Sequence, residues 1–127
     1  MAREFTADTS DRIEADNSLN PGGSLTICSW VKLTSTGNNK RLCANRASGS
    51  TGYIIDTGTG VATLRFLIAI GGSFRTANGT TAVNDGNWHF VVGVYTAAAT
   101  DVVEFFVNDM ETPEGTSSGT FGTYNNA

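Results

Sequence analysis

The stretch Asp85-Gly-Asn-Trp-His-Phe-Val-Val-Gly-Val-Tyr95 decides the fold class. Asp85-Gly86-Asn87 is turn chemistry: glycine supplies positive φ cheaply, and Asp or Asn side chains bond nearby backbone. The residues that follow are aromatic and β-branched, the types that suit a pleated, half-buried surface. Side chains alternate across a strand, so Trp88, Phe90, Val92 and Val94 share one face and His89, Val91, Gly93 and Tyr95 the other. The first set is the expected core face, with Trp88 as its anchor. His89, the chain's one histidine, is expected to point outward with Tyr95.

The same pattern recurs on both sides of this strand, divided by turn signals, as in a sandwich or barrel. Residues 2–5 and 12–15 form brief β pieces around a polar turn at 8–11. Residues 20–23 (Asn-Pro-Gly-Gly) form a loop. Residues 25–33 form a long strand with Leu25, Ile27, Val31 and Leu33 inward, and residues 41–46 are expected as its hairpin partner. Strands at 53–56 and 61–70 flank Thr57-Gly-Thr-Gly60, with Leu64, Phe66, Ile68 and Ile70 inward. Residues 73–76 and 80–83 are placed either side of Asn78-Gly79, a hairpin dipeptide. Residues 102–107 turn Val103, Phe105 and Val107 inward. The tail from 114 to 127 is mostly Gly, Ser, Thr and Asn and ends on no clear strand.

At 127 residues the chain reads as one domain, 1–127, able to bury roughly two-thirds of its unfolded surface. Fifteen glycines with two prolines fit an all-β chain of tight turns, and no stretch carries a helical stripe. The formal charge of −4, with Lys and Arg scattered, argues against nucleic acid and against direct membrane binding. There is no apolar run of transmembrane length, and the opening Met-Ala-Arg-Glu-Phe-Thr lacks the apolar stretch of a signal peptide. In the expected hairpin, Cys43 faces Val31 or Lys32 and misses Cys28 by about three residues, so both thiols are expected to be free.

Three segments in order, "SLNPGGSLTICSWVKL" (18–33), "DGNWHFVVGVY" (85–95) and "VVEFFVNDM" (102–110), resemble the laminin-G-like, concanavalin-A-like jelly-roll superfamily. The opening "FTADTSDRIE" (5–14) is similar to that family's first hairpin. The resemblance spans nearly the whole chain and implies two antiparallel sheets packed face to face, a jelly-roll β-sandwich. The family's usual last strands have no counterpart before Ala127. A shortened chain, a different closure, and a strand supplied by a neighbour are the competing explanations.

Catalytic chemistry is not legible. One histidine without a Ser or Cys partner makes no triad. Glu104 and Asp109, the nearest thing to paired glycosidase carboxylates, have opposite parity, whereas retaining enzymes need their carboxyls about 5–5.5 Å apart. Calcium occurs at the rim in relatives; Asp8 with Asp11, Asp56, or Asn84 with Asp85 would be its oxygens here. No loop supplies the six to eight oxygens it takes, and turn capping accounts for each, so no metal or cofactor is assigned. Asn78-Gly79-Thr80 fits a glycosylation sequon, and its use as a turn is sufficient explanation.

The remaining candidates are Trp30, Lys32, Arg65, His89 and Tyr95, each of outward parity. On one sheet they would set aromatics beside polar groups, an arrangement suited to a sugar ring or a protein partner. The expected function is a non-catalytic recognition or adhesion module binding a glycan or protein surface. The alternative is a structural subunit, homo-oligomeric or within a larger assembly such as a virion capsid or tail decoration; a fragment of a polysaccharide hydrolase stands third. These readings point to an extracellular or virion surface.

Overall fold

The computed structural model describes residues 23–35, 37–38, 40–46, 51–58 and 62–121. The strands expected at 2–5 and 12–15, most of the loop at 20–23, and the last residues of the tail lie outside them. Among the described residues there are eight strands and no helix: β1 (Leu25–Lys32), β2 (Arg41–Arg46), β3 (Gly52–Thr57), β4 (Leu64–Ile70), β5 (Ser73–Asn78), β6 (Trp88–Thr96), β7 (Asp101–Val107) and β8 (Gly115–Gly119). They form two antiparallel four-stranded sheets, ordered β1-β6-β7-β8 and β2-β3-β4-β5. The all-β, two-sheet reading of the sequence holds.

The sheets meet on the faces that bury the largest apolar side chains. Leu64, Phe66, Ile68 and Ile70 of β4 face Val103, Phe105 and Val107 of β7, joined by Val31, Ile55 and Val91. Each such side chain contributes about 1.5–3 kcal/mol when removed from water. These inward sets match the alternation in the sequence. Leu25, Ile27 and Leu33 pack partly buried against the same core. Ile54, Leu67 and Ala69 make a second, smaller apolar cluster, so β3 and β4 are covered on both faces.

Several expectations fail, each for a physical reason. The core face of β6 is the opposite one: His89, Val91, Gly93 and Tyr95 point inward, and Trp88 is 60% exposed rather than an anchor. Residues directly opposite in an antiparallel pair share a face. Val91 lies opposite Val107, Gly93 opposite Phe105 and Tyr95 opposite Val103, so the inward set of β7 fixes that of β6. Size was the misleading cue; register decides.

Nor are β1 and β2 a hairpin. The first pairs with β6 and the second with β3, so the connection crosses from one sheet to the other. Cys28 and Cys43 are both free because they sit on different sheets, and burial pushes the Cys43 thiol up. The Asn78-Gly79 dipeptide is not a turn either: Gly79 N–H donates to the Leu64 carbonyl and prolongs the β4–β5 ladder. That hairpin turns at Gly71-Gly72, whose φ values of 56° and 83° are what a type I′ turn requires. Residues 80–83 form no strand, although Val83 is buried.

The tail does contain a strand. In β8, small and hydroxyl residues lie against β7 from Gly115–Phe105 to Gly119–Asp101. Beyond it Phe121 enters the core. Its N–H donates to buried Asp101 Oδ2 at 2.9 Å, its ring meets Tyr95 edge-on at 5.8 Å, and the Arg75 guanidinium lies 5.1 Å from its ring centre.

Candidate functional site

The outward face of the β1-β6-β7-β8 sheet is the feature that a folded core does not explain. Register places Trp30 opposite Phe90, Lys32 opposite Trp88 and Cys28 opposite Val92. Further across, Val92 lies opposite Phe106 and Val94 opposite Glu104, which faces Thr116 of β8. Trp30 is 63% and Trp88 60% exposed, and the ring of Trp30 sits 5.1 Å from that of Phe90 at a tilt of 45°. As diagonal neighbours on an antiparallel pair, the two tryptophans have backbones about 7–8 Å apart. Phe90, Val94 and Phe106 are half-buried, Val92 is buried by its neighbours, and Cys28 is exposed. The result is a continuous aromatic and aliphatic surface carrying two charges, those of Lys32 and Glu104.

The five candidates from the sequence do not come together. Trp30 and Lys32 lie on this face. His89 and Tyr95 lie on the same sheet but point into the interior. Arg65 is on the other sheet, where Nε and Nη2 donate to the buried Asp56 carboxylate at 2.6 and 3.2 Å. Trp88, Phe90 and Phe106 take the places of His89, Tyr95 and Arg65. The signal for them was available: had β6 been aligned on the inward residues of β7, Trp88 and Phe90 would have fallen on the Trp30 face.

The polar groups turned inward are satisfied at the sheet ends. Tyr95 Oη donates to Asp101 Oδ1 at 3.0 Å. His89 Nε2 lies 3.0 Å from Asp85 Oδ1, and Nδ1 lies 3.1 Å from Asn108 Nδ2. Bonds from His89 first, then from Asn87, hold the Asp85 carboxyl well below the usual range. Asp109 Oδ1 accepts from Glu111 N–H at 2.8 Å, a turn cap, while Glu104 lies on the outer face. Among the described residues there is no group of three or more His, Cys, Asp or Glu able to hold a metal ion. Of the rim oxygens considered for calcium, Asp56 pairs with Arg65 and Asp85 serves His89 and Asn87, while Asp8 and Asp11 lie outside the described residues.

No curated protein matches the chain. A laminin-G-type family model, described as the Concanavalin A-like lectin/glucanases superfamily, matches residues 7–127. Domains of this type are often carbohydrate- or protein-binding, and the superfamily also includes hydrolases. The match covers all eight strands and agrees with the two facing antiparallel sheets; the chain belongs to the laminin-G-like family of the concanavalin A-like superfamily.

Proposed function

We propose that this domain is a non-catalytic recognition module that binds a glycan or protein surface through the outward face of the β1-β6-β7-β8 sheet. The observation that carries the reading is the exposed pair Trp30 and Trp88 beside Phe90 and Lys32. Leaving large aromatic rings in water forgoes stabilisation that burial would supply, and contiguous exposed apolar patches mark binding surfaces. A flat ring stacks on a sugar or anchors a partner chain, with Lys32 and Glu104 supplying polar contacts at the margin. The non-catalytic reading is supported by the engagement of the inward-facing titratable side chains in structural bonds. Both His89 ring nitrogens are taken, and Asp56, Asp101 and Glu114 accept bonds that hold the fold. The test is titration of the wild type, Trp30→Ala and Trp88→Ala against immobilised glycans. Loss of affinity by about tenfold or more in both variants, with unfolding midpoints retained, supports the proposal; unchanged affinity for every detected ligand overturns it.

A second reading has its own support. The row Cys28, Val92 and Phe106 extends the aromatic pair into an apolar strip with few hydrogen-bonding groups. Such a strip suits packing against protein, as in a structural subunit of a larger assembly. Native mass spectrometry separates the two: a defined oligomer dispersed by Phe106→Ser favours assembly, and a monomer favours ligand recognition.

A further inference from the structure

His89 is buried on the core face of β6 and bridges two turns at one end of the sheet, the one at Asp85 and the one at Asn108. The direction of each bond in this bridge follows from chemistry. Asn108 Oδ1 accepts from the Phe90 backbone N–H at 3.1 Å, so the amide nitrogen of Asn108 is what faces the imidazole. That nitrogen only donates. His89 Nδ1 is therefore the bare acceptor, and the single ring proton resides on Nε2, which donates to Asp85.

A second proton would have to enter at Nδ1, setting N–H against the N–H of Asn108. Rotating the Asn108 amide offers no escape, because its nitrogen would then face the Phe90 N–H. The geometry points to a proton-operated latch. Neutral His89 holds Asn108 in place; protonation at Nδ1 breaks the His89–Asn108 bond and frees the turn at 108–111 from β6, while the Asp85 bond remains.

The surrounding groups allow this. The carboxylate placed against the ring is that of Asp85, which takes the Nε2 proton in its hydrogen bond. From β1 the cross-strand partner of His89 is Val31. On β7 the inward residue at this end of the ladder is Val107, opposite Val91, so both neighbouring strands present apolar side chains. Lys32 and Trp88 point to the opposite face, and the Asp109 carboxylate is occupied in capping Glu111. Asn108 itself has φ 62°, in the left-handed region, and its N–H donates to the Phe90 carbonyl at 2.8 Å. Asparagine is one of the few non-glycine residues that adopts this conformation readily, and here its bonds to β6 fix it in place. The turn adjoins Phe90 and carries exposed Met110, so its release would alter the margin of the outward face; that consequence rests on the proposed function, whereas the latch does not.

The chain has one histidine, so its two imidazole nitrogen resonances need only be told apart, which their couplings to the ring carbon-bound protons do. The experiment follows them by nitrogen-15 NMR against pH, together with amide hydrogen exchange at Phe90 and Asn108. The expected result is a bare Nδ1 and protonated Nε2 in the neutral form. As the ring charges, exchange at these two amides, corrected for its intrinsic pH dependence, rises about tenfold, the scale of one lost hydrogen bond. In Asn108→Asp a carboxylate accepts from both Phe90 N–H and a protonated Nδ1, so the ring should charge at higher pH and the exchange step should vanish. A neutral ring protonated on Nδ1, exchange that is flat across the titration, or a ring that stays neutral until the domain unfolds would each overturn the latch. The wild-type measurements decide it even if the variant does not fold.

Discussion

Gly93 of β6 lies directly against the ring of Phe66 from the opposing sheet: a Cβ placed on Gly93 would stand 2.6 Å from Phe66 Cγ. Phe66 is fully buried, so the ring has no room to retreat. Overpacking of this kind typically costs about 1–3 kcal/mol. Gly93→Ala should lower the urea midpoint without changing the slope of the transition, and Phe66→Leu in the same chain should recover part of the loss. A neutral Gly93→Ala would show that the two sheets separate here at little cost.

Gly93 also marks where the sequence misleads. The inward faces of β4 and β7 were legible because each alternates large apolar residues without interruption. On β6 the inward face is His89, Val91, Gly93 and Tyr95, which looks like the wetter side of the strand. Three features reverse that impression, and each comes from outside the strand: the Phe66 ring filling the space over Gly93, Asp101 receiving the Tyr95 hydroxyl, and Asp85 with Asn108 flanking His89. Trp30 and Lys32 were legible as outward residues because β1 alternates cleanly. Phe106 was legible in the same way on β7, whereas Trp88 and Phe90 of the outward face depended on the β6 register. The β8 strand was hidden for a different reason: its Gly-Thr-Ser-Ser-Gly composition is that of a loop, and pairing with β7 makes it a strand.

Asp101 ties the end of β6 to the chain beyond β8. It accepts from Tyr95 Oη at 3.0 Å, Ala98 N–H at 3.2 Å and Phe121 N–H at 2.9 Å. Asp101→Ala leaves these donors without their acceptor and opens a small void, a loss of about 2–4 kcal/mol. Phe121→Ala should cost about as much, since it removes a core ring held against Tyr95. Because both changes strike one unit, the double variant should lose less than the sum of the two. Full additivity in a double-mutant cycle would show that the carboxylate and the ring act separately.

Acid should weaken the fold through Asp101 and Glu114. Burial raises the pKa of each, but the bonds each accepts outweigh it, so both carboxyls lie below their usual values. Glu114 accepts from Thr80 N–H at 2.7 Å, from Thr81 N–H at 3.0 Å and from the Thr81 hydroxyl. A depressed folded-state pKa means the unfolded chain binds protons first. The stabilisation is therefore complete above the unfolded values, about 4, and is lost as pH falls through the lower folded values. The share of the unfolding free energy due to these two carboxyls should be level from about pH 5 to 6 and decline below about pH 4. Glu114→Gln should be less stable at neutral pH and show a shallower acid decline. An acid slope identical to the wild type would mean that Glu114 titrates alike in both states.

The two tryptophans give the outward face its own optical signal. Trp30 is 63% and Trp88 60% exposed, and they are the only tryptophans in the chain. Native emission should therefore lie close to that of the unfolded protein, and Trp30→Ala or Trp88→Ala should move stability by about 0.5 kcal/mol or little more, as for surface substitutions. Docking a sugar or protein onto the face removes water from the indoles, so emission should shift to the blue and shield them from a soluble quencher such as iodide. Trp30 packs against Phe90 at a tilt, and Trp88 stands beside Lys32, so the ring lost in each single variant reports which half of the face the ligand covers. A ligand that binds with no change in emission or quenching would lie elsewhere on the domain, and the outward face would lose its claim as the binding surface.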